Sequence, residues 1–167
     1  MANVGKSFES DWKSSIPPDV YYYRLRDGTA SFYKSAEEME SDKNIRFQMK
    51  NDYDCIMFKM PFLFTLELKS YAGTSFTLSS LSEGQRKGLL KASKYQSIIT
   101  GVVFNIRKLE QTYFVNWSDI QSYINTATAK SIPNKWIIEN GIQIVQWKKK
   151  VNYNYDIRKF IDHFDKF

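Results

Sequence analysis

Three carboxylates and one amine fall close together in the chain as Asp52, Asp54, Glu67 and Lys69. Carboxylates are the ligands that a hard divalent ion such as Mg2+ demands, and two or three of them leave positions open for water and a phosphate oxygen. An ion held in this way lowers the pKa of its water and neutralises charge on a reacting phosphate. An ammonium two residues from the last acid can orient that water or stabilise a pentacoordinate transition state. The set therefore suits metal-dependent phosphodiester hydrolysis, with Asp52, Asp54 and Glu67 as candidate ligands. The E-x-K spacing alone also decorates ordinary exposed strands, and it is the upstream aspartate pair that favours a site.

Two extended arms must position these groups. Residues 51–70 are rich in apolar, aromatic and β-branched side chains, and Met60-Pro61 interrupts them, so the stretch reads as two strands joined by a turn. Side chains alternate faces along a strand. Glu67 and Lys69 accordingly share one face, Leu66 and Leu68 the other, and Asp52 and Asp54 point the same way on the first arm. Paired as a hairpin, the arms bring all three acids and the amine to one point.

The surrounding elements follow from periodicity. Residues 5–13 read as a short helix with Phe8 and Trp12 on one face, ended by Pro17-Pro18. Glu9, beside Phe8, either faces solvent, the reading the sequence favours, or turns toward the acids. Val20 to Arg26 reads as a strand with Tyr22, Arg24 and Arg26 on one side, either a phosphate-gripping stripe or a solvated edge. Residues 35–44 are polar. Thr74 and Ser75 lie in a loop able to bond a phosphate.

Leu81 to Ala92 reads as a helix in which Ser82 and Gln85 have capping-box spacing. The Gln85 carbonyl can alternatively join a metal's shell, and Arg86, Lys87 and Lys91 form a positive face toward DNA or solvent. Ile98 to Ile106 is apolar enough for a central strand, and residues 111–117 form its neighbour. A helix capped by Ser118, a short strand over residues 142–147 and a basic tip at Lys148-Lys149-Lys150 come next. A closing helix carries Ile157, Phe160, Ile161 and Phe164.

Composition bounds the chemistry. A chain of 167 residues with 43% hydrophobic and 16% aromatic residues is expected to fold as one domain, and a net charge of +6 favours a polyanionic partner. One cysteine, Cys55, and one histidine, His163, exclude an intramolecular disulfide, a zinc cluster and a nuclease built on histidine pairs. Cys55 is expected to be a buried strand residue. No membrane-spanning run or signal pattern is present, so a cytoplasmic location is expected.

The order helix, strands carrying D and then E-x-K, helix, strand is similar to the PD-(D/E)xK nucleases. More narrowly, the chain resembles the RecU-type Holliday junction resolvases of Gram-positive bacteria and their phages. Four stretches carry the resemblance: Gly5 to Glu9, Asp52 to Ile56, Glu67-Leu68-Lys69 with Thr74 to Leu78, and Gln85. The resemblance implies an α/β, restriction-endonuclease-like core, a mixed central sheet flanked by helices, in a single nuclease domain over 1–167 with a polar insertion near 29–50. It implies Asp54 and Glu67 as ligands of Mg2+ or Mn2+, Lys69 as the transition-state lysine, Asp52 and Gln85 near the metal, and Glu9 as a supporting acid. The chain departs from the family at Gly84, where a histidine is usual, at Thr77 in place of proline, and at Cys55 in place of a glycine-containing hairpin.

The resemblance further implies a homodimer that nicks both opposed strands of a four-way DNA junction, and it allows a RecA-like recombinase as partner. Arg24, Arg26, Thr74, Ser75, Arg86 and Lys87 are the candidate DNA contacts. Family members carry a junction-entering stalk, for which residues 29–50 are the only candidate here, although 37–42 is acidic. The competing readings are a restriction or repair nuclease on other DNA and a non-catalytic DNA-binding or recombinase-modulating protein of the same fold.

Overall fold

In the computed structural model, residues 4–25 and 51–166 are described, so Arg26 and the expected insertion at 29–50 lie outside the described residues. Helix α1 (Val4–Ser14) leads into strand β1 (Tyr21–Arg24). Strands β2 (Cys55–Lys59) and β3 (Phe62–Tyr71) flank a cis Met60-Pro61 bond, the expected turn. Strand β4 (Ser75–Thr77) and helix α2 (Glu83–Ala92) follow, then β5 (Ile98–Ile106) and β6 (Gln111–Asn116). Helix α3 (Trp117–Ala127), strand β7 (Ser131–Pro133), helix α4 (Asn134–Asn140) and strand β8 (Ile142–Ile144) complete the middle of the chain. Strands β9 (Gln146–Lys149) and β10 (Asn152–Tyr155) precede helix α5 (Ile157–Asp162).

Six strands form one sheet in the order β1-β2-β3-β5-β6-β8. Only β3 and β5 run parallel, because the crossover between them is helix α2; the other pairs are antiparallel. Both faces of the centre are covered, which is why β5 is buried from Thr100 to Ile106. On one face, α1 contributes Phe8 and Trp12 and α5 contributes Ile157, Phe160 and Ile161, packed on Phe64, Leu66, Leu68 and Val103. On the other, Leu89 of α2, Trp117 and Ile120 of α3 and Ile137 of α4 pack on Val102, Phe104 and Val115. Each such side chain removed from water contributes about 1.5 to 3 kcal/mol. This is the expected mixed α/β sheet flanked by helices.

Three local readings are corrected. Residues 52–54 form a bend before β2, so the aspartates are not alternate residues of a strand. The cap of α3 is Asn116, whose side chain accepts from the Ser118 amide at 3.1 Å; Ser118 already lies inside the helix. Residues 142–147 are divided at Val145, and the part beyond it turns back as the β9-β10 hairpin, with Lys149 opposite Asn152.

Candidate active site

The site lies where the β2-β3 ladder runs out. The last pair is Cys55 with Leu66, and one step further the register sets Asp54 opposite Glu67. Asp54 is held on three sides: its amide donates to the Leu66 carbonyl at 3.1 Å, its carbonyl accepts from the Leu25 amide at 2.9 Å, and its Oδ2 accepts from the Leu68 amide at 2.8 Å. The Leu68 amide is a ladder donor that β2 is too short to satisfy, and the carboxylate takes its place.

Glu67 is fully buried, and two donors converge on its Oε1: Lys69 Nζ at 2.7 Å and the side-chain amide of Gln85. Its Oε2 is buried and receives no N–H or O–H donor among the described residues, while the Asp54 carboxylate contacts Glu67. Burial first, and the Asp54 charge second, push the Glu67 carboxyl up to about 8; Lys69 opposes the shift. Two facing carboxylates, one of them with a buried, donorless oxygen, form an arrangement that a cation relieves as well as a proton does.

Gln85 enters through the start of α2. Its Oε1 accepts from the Ser82 amide at 2.9 Å and its own amide donates to Ser82 Oγ at 3.2 Å, which completes the expected capping box. With the oxygen occupied at the cap, the NH2 end faces Glu67. Gln85 therefore orients Glu67 and does not offer its carbonyl to a metal.

Asp52 is not part of this cluster. Its side chain is exposed and seated on α2, where a Cβ on Gly88 would lie 2.2 Å from that of Asp52. Among the described residues no three of His, Cys, Asp and Glu stand close enough together to hold a metal ion, so the expected convergence of three carboxylates is replaced by the Asp54-Glu67 pair. That pair still fits a hard divalent cation, which commonly takes one or two carboxylates and fills its other positions with water and phosphate oxygens.

Glu9 of α1 is ion-paired to Arg24 of β1. It is close enough to Cys55 and Tyr22 to act on both electrostatically, as Asp54 does. It is thus turned inward, against the reading that the sequence favoured, and Arg24 is engaged with it although half of the arginine side chain remains exposed. Cys55 is buried as expected, and burial raises its thiol well above the ordinary value.

The other candidate DNA contacts divide. Arg86 is a brace: its guanidinium donates to the Leu81 carbonyl at 3.1 Å and to the Leu78 carbonyl, so it does not face outward for a phosphate. Lys87 is exposed and paired with Glu83 at 2.6 Å. Thr74 is exposed, and its loop is fixed by Asn134, whose backbone amide donates to the Thr74 carbonyl at 3.0 Å and whose side chain donates to the Gly73 carbonyl at 3.0 Å. Ser75 begins β4, opposite Pro133.

Two participants escaped the sequence reading. Asn134 gives no local signal of its role, because its partners are distant in the chain. Tyr22 was seen only as part of a stripe, yet its hydroxyl is buried beside Asp54, Glu9 and Cys55 without a hydrogen-bond partner among the described residues; burial raises its phenol pKa.

The family model described as RecU, Recombination protein U, matches residues 29–159. The SPbeta prophage-derived uncharacterized protein YotM of Bacillus subtilis (strain 168) is 34% identical over 173 residues, covering 94% of this chain and 84% of its own length. The Holliday junction resolvase RecU of Mycoplasmopsis pulmonis (strain UAB CTIP) is 25% identical over 129 residues, covering 77% of this chain and 79% of its own. Among solved structures, Archaeoglobus fulgidus Hjc, a Holliday junction resolvase from an archaeal hyperthermophile, matches with a TM-score of 0.50 at 14% identity over 83% of this chain and 95% of Hjc. At that identity the likeness concerns the fold, which is restriction-endonuclease-like. A family model spanning most of the chain, together with a relative above 30% identity along nearly all of it, shows that this chain belongs to the RecU family.

Proposed function

We propose that this protein is a divalent-cation-dependent, structure-selective DNA endonuclease that resolves four-way junctions by paired symmetric nicks, acting as a homodimer. The observation that carries the reading is the opposition of Asp54 and Glu67 at the end of a strand pair with Lys69 Nζ 2.7 Å from Glu67, in a member of the RecU family. Symmetric cutting of opposed strands requires two sites related by a twofold axis, which is the physical reason for a dimer.

Asp54 and Glu67 are the residues that would hold Mg2+ or Mn2+. When bound, the ion supplies charge neutralisation at the phosphate and a water of lowered pKa. Gln85 keeps the Glu67 carboxylate in one orientation, and the Leu68 amide does the same for Asp54. Lys69, partly exposed, keeps its ammonium at the mouth of the site, where it can meet a non-bridging phosphate oxygen as charge develops.

The test is cleavage of a synthetic four-way junction, a fork and a linear duplex with Mg2+ or Mn2+ and with EDTA. Paired nicks confined to the junction, present with metal and lost in EDTA, support the reading. Cutting of linear duplex at a fixed sequence points to a restriction or repair enzyme instead. Junction binding without cleavage under any of these conditions overturns the catalytic assignment.

A further inference from the structure

The β9-β10 hairpin has no part in the site just described, although it is the most concentrated run of positive charge on the described surface. Lys148, Lys149 and Lys150 are exposed, as are Trp147 before them and Val151 after them. Among the described residues none of the three lysines is paired with a carboxylate. Lys150 and Val151 form a two-residue loop between the pair Lys149 and Asn152, and Lys150 takes φ of 60° there. Glycine or asparagine adopts that conformation with less strain than lysine does. Local backbone preference and like-charge repulsion both disfavour three lysines at this turn, so an external polyanion is the natural counterpart of the charge.

The hairpin is also held firmly. The outer edge of β10 is met by α1 and the residue after it: Asp11 Oδ2 accepts from the Tyr153 amide and Ser15 Oγ from the Tyr155 amide, each at 3.0 Å. The ladder of the hairpin is tied to the β5-β6 turn through Tyr153, whose hydroxyl donates to Glu110 at 2.6 Å. That turn adds two exposed cations, Arg107 and Lys108, beside the single acid Glu110.

A chain of side-chain hydrogen bonds then ties the base of the hairpin to the catalytic strand. Ser70 Oγ donates to Asn105 Oδ1 at 2.9 Å, Asn105 Nδ2 donates to Thr112 Oγ1 at 2.9 Å, and Thr112 Oγ1 donates to Gln146 Oε1 at 2.6 Å. Ser70 directly follows Lys69, and Asn105 and Thr112 are buried. The base of the hairpin is thus tied to the strand that carries Glu67 and Lys69.

We propose that this tip, with the β5-β6 turn, is a second contact for the phosphate backbone of duplex DNA, gripping an arm of the substrate away from the cleavage site. Strand alternation puts Trp147 and Lys149 on the same outward face, where the indole can lie against the sugar or a base edge while the ammonium meets a phosphate. The inference rests on the reading of the protein as a DNA enzyme, and its test needs no cleavage.

Binding of the full chain to a short labelled duplex and to a four-way junction is measured in EDTA across a salt titration. Lys148→Ala/Lys149→Ala/Lys150→Ala is expected to weaken both complexes roughly tenfold or more at about 0.1 M salt and to lower the log-log salt slope by about 2 to 3. Lys13→Ala/Lys94→Ala/Lys135→Ala carries the same charge change and is expected to shift binding less than about threefold, since general attraction is spread over the whole surface. Lys150→Gly separates structure from function: relief of the left-handed backbone raises the melting temperature while DNA binding weakens. Quenching of tryptophan fluorescence by DNA is expected to diminish in Trp147→Phe.

Wild-type affinity and slope in the hairpin triple variant, or equal losses in both triple variants, overturn the hairpin assignment and leave the nuclease reading standing. A wild-type chain that binds neither DNA overturns both. Loss of binding to phosphatidylserine vesicles with unchanged DNA binding would assign the tip to a membrane surface and overturn the proposal.

Discussion

At the scale of single residues, the behaviour of Glu67 depends on the different surroundings of its two oxygens. Oε1 takes two donors and Oε2 takes none among the described residues, so the carboxylate is oriented by Gln85 and Lys69 and pressed toward Asp54. Glu67→Gln keeps a carbonyl for both donors and turns an amide toward Asp54. It is expected to abolish cleavage, leave junction binding within about twofold, and leave the melting temperature of the metal-free protein equal or higher, because a neutral amide that can donate to Asp54 replaces a buried carboxyl. Junction binding lost together with cleavage would count against a purely catalytic role. Gln85 is read by a pair of variants. Gln85→Ala is expected to cost about 1 kcal/mol through the lost cap and to lower the cleavage rate at saturating DNA. Gln85→Glu retains a capping-box residue at the helix start but places a further acid against Glu67, so activity falls without loss of the cap. Thermal melts alongside single-turnover rates separate the two effects.

Among elements, helix α2 does most to build the site. Its first turn delivers Gln85, its buried side packs Leu89 into the core, and its middle offers Gly88 as the seat on which Asp52 lies. An added methyl at Gly88 would stand 2.2 Å from the Asp52 Cβ and 3.0 Å from its Cα, so either the helix or the 52–54 bend must move. Either movement separates a partner from Glu67. Gly88→Ala is therefore expected to cost about 1 to 3 kcal/mol and to reduce cleavage at least roughly tenfold, checked by melts and by junction nicking. If activity survives a clear loss of stability, the bonds of Asp54 to Leu25, Leu66 and Leu68 hold the bend without help from α2.

Across the whole molecule, distant parts of the chain are tied together by Asp19, which accepts from Lys59 at the end of β2 at 2.7 Å and from the Arg158 guanidinium of α5 at 2.9 Å. Those two cations hold its carboxyl well below the ordinary 3.8. A carboxyl depressed in the folded state contributes stability that is present above the unfolded value and is lost as pH falls through the folded one. The melting temperature should hold above pH 4 and decline below it, more steeply in the wild type than in Asp19→Asn, which should melt lower than wild type near neutrality. Because the triad is exposed, the difference should shrink in high salt. Identical acid limbs for the two proteins would show that the triad contributes nothing to folding.

What the sequence by itself determined is local. The alternation of Leu66, Glu67, Leu68 and Lys69, the break at Met60-Pro61, the box formed by Ser82 and Gln85, and the stripe of Ile157, Phe160 and Ile161 are set by the periods of strand and helix, and these can be read from neighbours in the chain. The succession of elements along the chain, with D before E-x-K, was legible for the same reason. Only the tertiary structure decided which polar groups meet. It placed Asp54 rather than Asp52 opposite Glu67, gave the oxygen of Gln85 to Ser82, turned Glu9 to Arg24, drew Arg86 back onto the carbonyls of Leu78 and Leu81, and folded residues 146–155 into a hairpin against α1. Those outcomes depend on where a ladder ends and on how closely a helix approaches a bend. Both are set by long-range packing, which leaves no period in the sequence to read.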